Sequence, residues 1–502
     1  MAGLKILVTD GNWFKGLHAA AKIKTFVLNY KTWLWGSVAF YLIMASVYAV
    51  MSLVNHSHYL TFGDLGIFNQ GIWQYSQFKW PIITFHLFRP FLGDHFHPIL
   101  MILAPLYWFF QGEEVLLVVQ PFIILSAMIP LFLIGYELTK SLLFSFSIIF
   151  AYAFYIPVQY TIFYDFHEII FLPPLFAWVY YWFIKEKKLL TAIFIFLCLL
   201  IKEEVGFFIA AFGIYLLIFE KKWRIFGLVT AFSSIAFSLL LMYKVIPLIG
   251  GNYLYFNYGE MGQTPVDVIK NVILNPKLAV QLFFEPDVKL LTIKRTFWPL
   301  AYLPLFSPLG FILSFEQFFS RFMDFRSVRW TIGYHYSAIM AIVVAMGAIH
   351  FVRNFRTFFK KTQSKIIINF IAILILVLTR LEQINVSAVL LIKYPQFWER
   401  PVWINRVDEA FSMLPKDASI CTQNNITAHV STRKEVYQID DFEICNQAQY
   451  ILADFHQGQS DYNFFGRENR DKFEKMIKEN LNSETYKAVY QNQEVYLIRK
   501  VN

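Results

Sequence analysis

Residues 34–54 read LWGSVAFYLIMASVYAVMSLV and contain no charged side chain. A helix of about 20 apolar residues is long enough to cross the hydrocarbon core of a bilayer, so this stretch predicts a first membrane span. Residues 1–33 form a basic arm that is too long for a signal peptide, and no small-residue cleavage site follows the apolar run. We therefore predict an uncleaved first helix and a cytoplasmic arm. The arm contains Lys5, Lys15, Lys22, Lys24 and Lys31.

Apolar runs continue through most of the chain. Hydrophobic residues make up 57% of the 502 residues and charged residues only 16%, whereas ordinary soluble domains contain about 25% charged residues. This composition excludes a soluble enzyme, a disordered protein and a coiled coil, and it indicates a polytopic α-helical membrane protein. The further runs lie near residues 115–137, 142–164, 168–184, 189–201, 205–219, 225–248, 297–309, 310–323, 336–352 and 366–392.

Lysine and arginine clusters follow alternate runs, which is typical of cytoplasmic loops. Placing all of them in the cytoplasm predicts about eleven spans, a cytoplasmic N-terminus and an extracytoplasmic C-terminus, in the cytoplasmic (inner) membrane of a prokaryote. The net charge of +9 is therefore interpreted as positive-inside loops and not as nucleic-acid binding. The clusters are Lys140; Lys185, Lys187 and Lys188; Lys221, Lys222 and Arg224; and Arg353, Arg356, Lys360, Lys361 and Lys365.

Two regions complicate this topology. The run at 98–110 is too short to span and is interpreted as a juxtamembrane or re-entrant helix. Around residues 297–323 the count stays open, because Pro308 splits two short runs and three arginines would lie outside. One span more or fewer there would move the C-terminal tail to the cytoplasm. The arginines are Arg321, Arg326 and Arg329.

The tail, residues 395–502, has the alternating pattern of a small soluble α/β domain. We therefore divide the chain into the arm 1–33, a membrane domain 34–394 with outer loops 55–97 and 249–296, and an extracytoplasmic α/β domain. The tail is predicted to contain helices at 408–414 and 467–481 and strands at 418–422, 435–439, 450–453, 486–490 and 495–499. Cys421 and Cys445 lie in the tail, where a disulfide can form, and the three cysteines make no metal motif.

Ionisable residues gather in the predicted outer segments of the membrane domain. A charge at membrane depth costs about 2.5–3.5 kcal/mol on insertion scales, so such residues persist where they line a cavity or pair with one another. In the predicted topology they all fall on one face of the membrane, and this convergence indicates a site. They are Asp64; Asp94, His95 and His97; Asp165, His167 and Glu168; Lys202, Glu203 and Glu204; and His335.

Each motif also has a purely structural interpretation. Lys202, Glu203 and Glu204 could neutralise one another in a short outer turn. Asp64 could cap the helix that follows it. His56 and His58 are interpreted as solvated residues at the membrane interface.

Aspartate and histidine at close spacing also bind divalent metals, or supply a base and a cation beside a phosphate. Asp94, His95 and His97 are therefore candidate ligands of a divalent ion such as Mg²⁺ or Mn²⁺.

The order of these motifs closely resembles a family of bacterial and archaeal polytopic membrane proteins that is known as a domain of unknown function. The resemblance runs from about residue 60 to about residue 455. It is carried by GDLGIFNQ at 63–70, GDHFHP at 93–98, YDFH at 164–167 and KEE at 202–204. Where the family usually has Lys-Glu-Asp, this chain has Lys202-Glu203-Glu204.

That family in turn resembles the GT-C superfamily of glycosyltransferases. The superfamily has acidic residues in its first two outer loops, and Asp64 and Asp165 match them in order. The resemblance implies a GT-C-like fold and transfer of a sugar from a polyprenyl-phosphate-linked donor to a glycan, lipid or protein acceptor, at the outer face of the bilayer.

In this interpretation Asp64 is the base, and Asp165 and His167 position the acceptor or hold a metal. Positive charge must stabilise the leaving phosphate, and Lys202 and Arg295 are the candidates for that role. Glu203, Glu204 and His335 would complete the substrate-binding surface, and the tail would orient the acceptor.

Two other functions stay open. A transporter or flippase of lipid-linked glycans would also place charges in the membrane domain, although no inverted repeat is visible. The third alternative is a non-catalytic scaffold with a GT-C-like fold. A cavity open only to the outer leaflet would favour the enzyme, and a pathway through both faces would favour the transporter.

Overall fold

The computed structural model describes residues 29–86, 88–440 and 442–501. Most of the basic arm 1–33 therefore lies outside the described residues. Within them, six helices are long and apolar enough to cross a membrane: Tyr30–Ser57, Glu114–Thr139, Leu142–Phe163, Lys221–Gly250, His335–Phe358 and Lys361–Ile384. Shorter apolar helices are Pro98–Trp108, Glu168–Ile184, Lys188–Leu199 and Val205–Phe219. The run at 34–54 is thus confirmed as the core of a long first helix.

Prolines divide the region whose span count was open from sequence. The chain makes two short helical turns, Trp298–Leu300 and Leu303–Phe306, before the helix Pro308–Phe322 begins. Ser307 starts that helix, because its hydroxyl accepts a hydrogen bond from the N–H of Gly310 at 3.2 Å. The short run near 98–110 is an 11-residue 3₁₀-helix, Pro98–Trp108, which is too short to span.

The first long loop, residues 58–97, contains the helix Gly63–Ser76, the strands β1 (Ile82–Ile83) and β2 (Arg89–Pro90), and the short helix Phe91–Asp94. The second contains three helices, Pro265–Leu274, Pro276–Phe284 and Val288–Phe297.

The tail is an α/β domain, as its pattern predicted. Its strands are β3 (Ile420–Thr422), β4 (Val436–Gln438), β5 (Tyr450–Asp454), β6 (Tyr486–Asn492) and β7 (Val495–Lys500), in the spatial order β4-β3-β5-β7-β6. β3 pairs in parallel with β4 and β5, and β7 runs antiparallel to β5 and β6. The longer tail helices are Val402–Ser412 and Arg467–Asn482.

Alternate strand residues face opposite sides of this sheet. Ile451 packs in a cluster with Phe473 of the helix Arg467–Asn482, while Leu452 belongs to the core that also contains Val407 of the helix Val402–Ser412. Cys421 and Cys445 form a disulfide with their Cα atoms 5.2 Å apart.

The tail docks on the first long loop. The side chain of Asn69 donates to the hydroxyl of Ser431 at 2.7 Å, and the hydroxyl of Thr84 donates to the carbonyl of Val436 at 2.8 Å. One hydrophobic core contains both Tyr48 of the first span and Leu452 of β5. The tail is therefore packed against the membrane domain by a hydrophobic and hydrogen-bonded contact.

The interpretation of His56 and His58 as solvated residues is wrong. His56 is 3% exposed and His58 is 8% exposed, because the tail covers the end of the first helix. His56 stacks on His429 of the tail, with ring centroids 3.9 Å apart.

Candidate functional site

A pocket rich in charged and phenolic side chains lies beside the helix Pro308–Phe322. Its lining combines residues from the turn at 202–204, the long loop after the helix Lys221–Gly250 and the start of the helix His335–Phe358. The polar lining residues are Lys202, Glu204, Tyr253, Tyr255, Tyr258, Glu316, Gln317, Ser320, Arg321, Arg329, His335 and Tyr336.

The turn between the helices Lys188–Leu199 and Val205–Phe219 sends its three charged side chains to three different segments. Lys202 Nζ lies 2.8 Å from Glu168 Oε1. Glu203 Oε1 lies 2.7 Å from His95 Nδ1, and Glu204 Oε2 lies 3.2 Å from Arg329 Nη2. The turn therefore joins neighbouring segments of the domain, and Lys202 and Glu204 line the pocket.

The charges around this turn keep its side chains ionised. Burial lowers the pKa of Lys202, but the Glu168, Glu204 and Glu203 carboxylates outweigh burial and hold that pKa above its ordinary value. Burial raises the pKa of Glu204, but Arg329 and Lys202 outweigh it and bring the pKa to about 2. Lys202 and Glu204 thus contribute fixed charges to the pocket at neutral pH.

Arg321 is the least compensated cation in the pocket. Arg321 is 1% exposed. Its guanidinium donates hydrogen bonds to the carbonyl of Arg329 at 3.0 Å, the carbonyl of Thr331 at 2.8 Å and the hydroxyl of Ser337 at 3.0 Å. Its Nη1 atom has no hydrogen-bond partner in the described part of the chain. A buried charge with neutral partners is costly, so this arrangement favours an anion in the pocket.

Asp64 lies at the start of the helix Gly63–Ser76, with 40% of its side chain exposed. Its Oδ2 atom accepts a hydrogen bond from the Tyr164 hydroxyl at 3.0 Å and lies 3.8 Å from His167 Nε2. The His167 ring stacks on that of His335, with centroids 3.6 Å apart. Because His335 lines the pocket, these contacts connect the exposed carboxylate to it.

Asp165 is buried and holds that helix in place. Its Oδ2 atom accepts hydrogen bonds from the N–H groups of Phe62 at 2.9 Å and Leu65 at 3.3 Å, so it satisfies donors that the helix start leaves unpaired. Burial and the nearby Asp64 carboxylate raise the pKa of Asp165 well above its usual range, against the effect of these N–H donors. Asp165 therefore positions Asp64 from a different loop.

The three candidate metal ligands of the first loop have separate neighbours. Asp94 Oδ1 accepts a hydrogen bond from the Tyr255 hydroxyl at 2.6 Å, and His95 pairs with Glu203. His97 is buried against Phe91, and burial lowers its pKa to about 4. These side chains do not point to one shared partner, so a metal held by all three stays a prediction.

Arg295 is placed elsewhere. It lies on the helix Val288–Phe297, its charge acts on Glu382, and it is not among the residues that line the pocket. Arg321 and Arg329 are there instead. In the sequence these two arginines stood out only as exceptions to the positive-inside rule, and that exception was the signal that could have pointed to them.

The tail lies over the start of the Asp64 helix. The side chain of Asn424, just after β3, accepts a hydrogen bond from the N–H of Gly63 at 2.8 Å. The Tyr462 ring packs edge-on against Phe62, with centroids 5.2 Å apart. The ends of the parallel strands are thus brought close to Asp64.

A family model described as "Predicted membrane protein (DUF2079)" matches residues 57–497. The chain belongs to the DUF2079 family. The match includes every candidate site residue and confirms both the family expected from the motifs and its membrane character. No curated protein matches the chain. The description of DUF2079 assigns no reaction, so the wider likeness to GT-C enzymes stays a prediction.

Proposed function

We propose that this DUF2079 protein is a membrane glycosyltransferase that takes its sugar from a polyprenyl-phosphate-linked donor. The observation that carries the proposal is the pocket in which Lys202, Arg321 and Arg329 meet beside the Asp64–His167–His335 contact. Buried cations that converge on one space are the groups that bind and stabilise a phosphate.

An apolar groove supports a lipid-linked donor. The helix Pro308–Phe322 supplies Gln317 and Arg321 to the charged pocket, and Phe311, Phe315 and Phe318 to a groove on another side. The groove is lined almost wholly by apolar side chains. Phe311 is 54% exposed and Phe315 is 52% exposed. A prenyl chain in the groove would leave its phosphate within reach of the pocket.

The chemistry follows from these positions. The Asp64 carboxylate would take the proton from an acceptor hydroxyl while that oxygen forms a bond to the anomeric carbon. The bond between the anomeric carbon and the phosphate oxygen would break, and polyprenyl phosphate would leave, stabilised by Arg321, Arg329 and Lys202. Asp94, His95 and His97 have separate partners, so no step is assigned to a metal ion.

The proposal includes the finer topology. Beyond the six long helices, the helices Glu168–Ile184, Lys188–Leu199 and Val205–Phe219 are counted as crossings, and the helix Pro308–Phe322 with the turns before it supplies the remaining crossings of a GT-C-like domain with about eleven spans. The N-terminus would lie in the cytoplasm of a prokaryote, and the pocket and tail would face the outside of the inner membrane. The bilayer, the lipid-linked sugar and a glycan, lipid or protein acceptor are the proposed partners.

The test compares envelope glycans and lipid-linked sugars, by mass spectrometry, in cells that carry the wild type, Asp64→Asn or no gene. Asp471→Asn is the matched control, because Asp471 is exposed on the tail helix. We expect Asp64→Asn to abolish transfer at a normal membrane level, while Asp471→Asn retains it. Full transfer by Asp64→Asn would contradict the assignment.

The same cells separate the enzyme from a transporter. If transfer is lost, the unused donor should accumulate in the outer leaflet, where a membrane-impermeant oxidant reaches its sugar. Accumulation only in the inner leaflet would favour a flippase of lipid-linked glycans. An unchanged set of glycans in cells without the gene would favour a non-catalytic scaffold.

A further inference from the structure

A second cluster of ionisable side chains lies where the tail meets the membrane domain. It consists of His56 at the end of the first span, Glu113 just before the helix Glu114–Thr139, and His429 in the tail. Glu113 Oε1 lies 3.1 Å from His56 Nε2 and 3.7 Å from His429 Nδ1. The exposed fraction of the side chain is 7% for Glu113, 4% for His56 and 12% for His429. We call these three residues the junction cluster.

The junction cluster brings three metal-ligating side chains together. His56 lies 2.8 Å from the Thr61 hydroxyl through Nδ1 and 3.1 Å from Glu113 Oε1 through Nε2. A positive species between Nε2 and the carboxylate stabilises this buried contact. That species is either a proton or a metal ion.

The composition of the cluster suits a metal ion. The His56 and His429 rings are stacked with an interplanar angle of 8°, so binding of one ion by both would require a ring to turn until the two lone pairs converge. Two imidazole nitrogens and one carboxylate oxygen are the ligands of many zinc sites, where bonds of about 2.0–2.1 Å place ligand atoms about 3.3–3.5 Å apart. The ligand atoms here all lie within 4.8 Å of one another. Thr61 has the position of a partner that fixes the tautomer and orientation of a ligand histidine. His429 Nε2 is buried and has no partner among the described residues.

We infer that His56, Glu113 and His429 bind a divalent transition-metal ion of the zinc class, and that this ion joins the tail to the membrane domain. The ligands come from three segments that are distant in sequence, so one ion would cross-link the first span, the helix Glu114–Thr139 and the tail. The site is independent of the proposed transfer reaction, since none of its residues lines the pocket.

The test uses the full chain purified in detergent, stripped with a chelator and titrated with Zn²⁺ or Co²⁺ alone. We expect one ion per chain, with a Kd of about 1 μM or tighter, and a Co²⁺ absorption spectrum typical of nitrogen and oxygen ligands. Glu113→Gln and His429→Ala should bind at least tenfold more weakly. Thr61→Val should weaken binding about 10–100-fold.

Two further variants keep the test decisive. His429→Cys should still bind, with a new sulfur-to-cobalt absorption band, because thiolate is a good ligand of this class of ion. His58→Gln is the matched control, since His58 is two residues from His56 but supplies no atom to the cluster, and it should bind like the wild type. Absence of stoichiometric binding to the wild type, or binding that Glu113→Gln leaves unchanged, would overturn the inference.

Discussion

The pocket and the junction cluster are both buried groups of charged side chains, and they differ in which charge is left over. In the pocket, Arg321 has only neutral hydrogen-bond partners and an unused N–H donor. In the junction cluster, Glu113 faces two imidazole nitrogens. An unused donor favours an anion, and a carboxylate that faces two imidazole nitrogens favours a cation, which is either a proton or a metal ion. The sign of the uncompensated group thus indicates the class of ligand.

The largest expected effect separates the two sites. Arg321→Met removes the pocket's uncompensated cation with little change in volume, and we expect turnover to fall about 10²–10³-fold. The variant also leaves the carbonyls of Arg329 and Thr331 without this donor, so its membrane level and unfolding temperature are measured alongside turnover. Turnover is measured as glycan product per unit of membrane protein. Metal binding at the junction cluster should not change.

Arg295→Met is the matched comparison for that variant. The sequence predicts that Arg295 binds phosphate, whereas the structure places it beside Glu382 and outside the pocket. We expect turnover close to that of the wild type. A loss as large as that of Arg321→Met would favour the sequence-based prediction over the pocket described above.

The next effect concerns the negative charge inside the pocket. Glu204→Gln removes the ion pair with Arg329 and should cost about 1.5–3 kcal/mol of stability near neutral pH. The folded-state pKa of about 2 is below the ordinary value of 4.5, so the carboxylate stabilises the fold above that ordinary value, and this contribution is lost as the pH falls towards 2. Thermal unfolding is measured on the detergent-solubilised wild type and on Glu204→Gln. The difference between their unfolding temperatures should be constant from pH 5 to pH 8 and should narrow below about pH 4.3. Glu479→Gln, on the exposed tail helix, should show no such gap.

The smallest effect tests how Asp165 supports Asp64. Asp165→Ala leaves the N–H groups of Phe62 and Leu65 unpaired and should cost about 0.5–2 kcal/mol, as the loss of a helix cap does. Asp165→Asn keeps an oxygen that can accept both bonds, so it should be close to the wild type in unfolding temperature and turnover. Inactive Asp165→Asn with a normal unfolding temperature would instead give the carboxylate a direct part in the chemistry.

The features that were predictable from sequence were local. The charge-free run at 34–54 and the apolar tail segment at 450–453 are both visible in the hydropathy of the sequence, and both are confirmed as a helix and a strand. The capping box at the start of the helix Pro265–Leu274 is also local, because Thr264 and Asp267, which form it, are only three residues apart.

The site depended on long-range packing, which the sequence could suggest only in part. Asp64 and His167 lie close together, as their common face predicted. His56 is buried because the tail, more than 300 residues away in sequence, covers it. Arg321 could not be assigned to a pocket, since the segment that presents it begins at prolines that obscure the span count.

The most direct test of the account is whether the pocket holds the phosphate of a lipid. Native mass spectrometry of the purified full chain would measure binding of polyprenyl phosphate and of the uncharged polyprenol, for the wild type and Arg321→Met. We predict that the wild type retains one polyprenyl phosphate and little polyprenol, and that Arg321→Met loses this preference. Equal retention of both lipids by the wild type, or an unchanged preference in Arg321→Met, would contradict the assignment of the pocket to a lipid-linked donor.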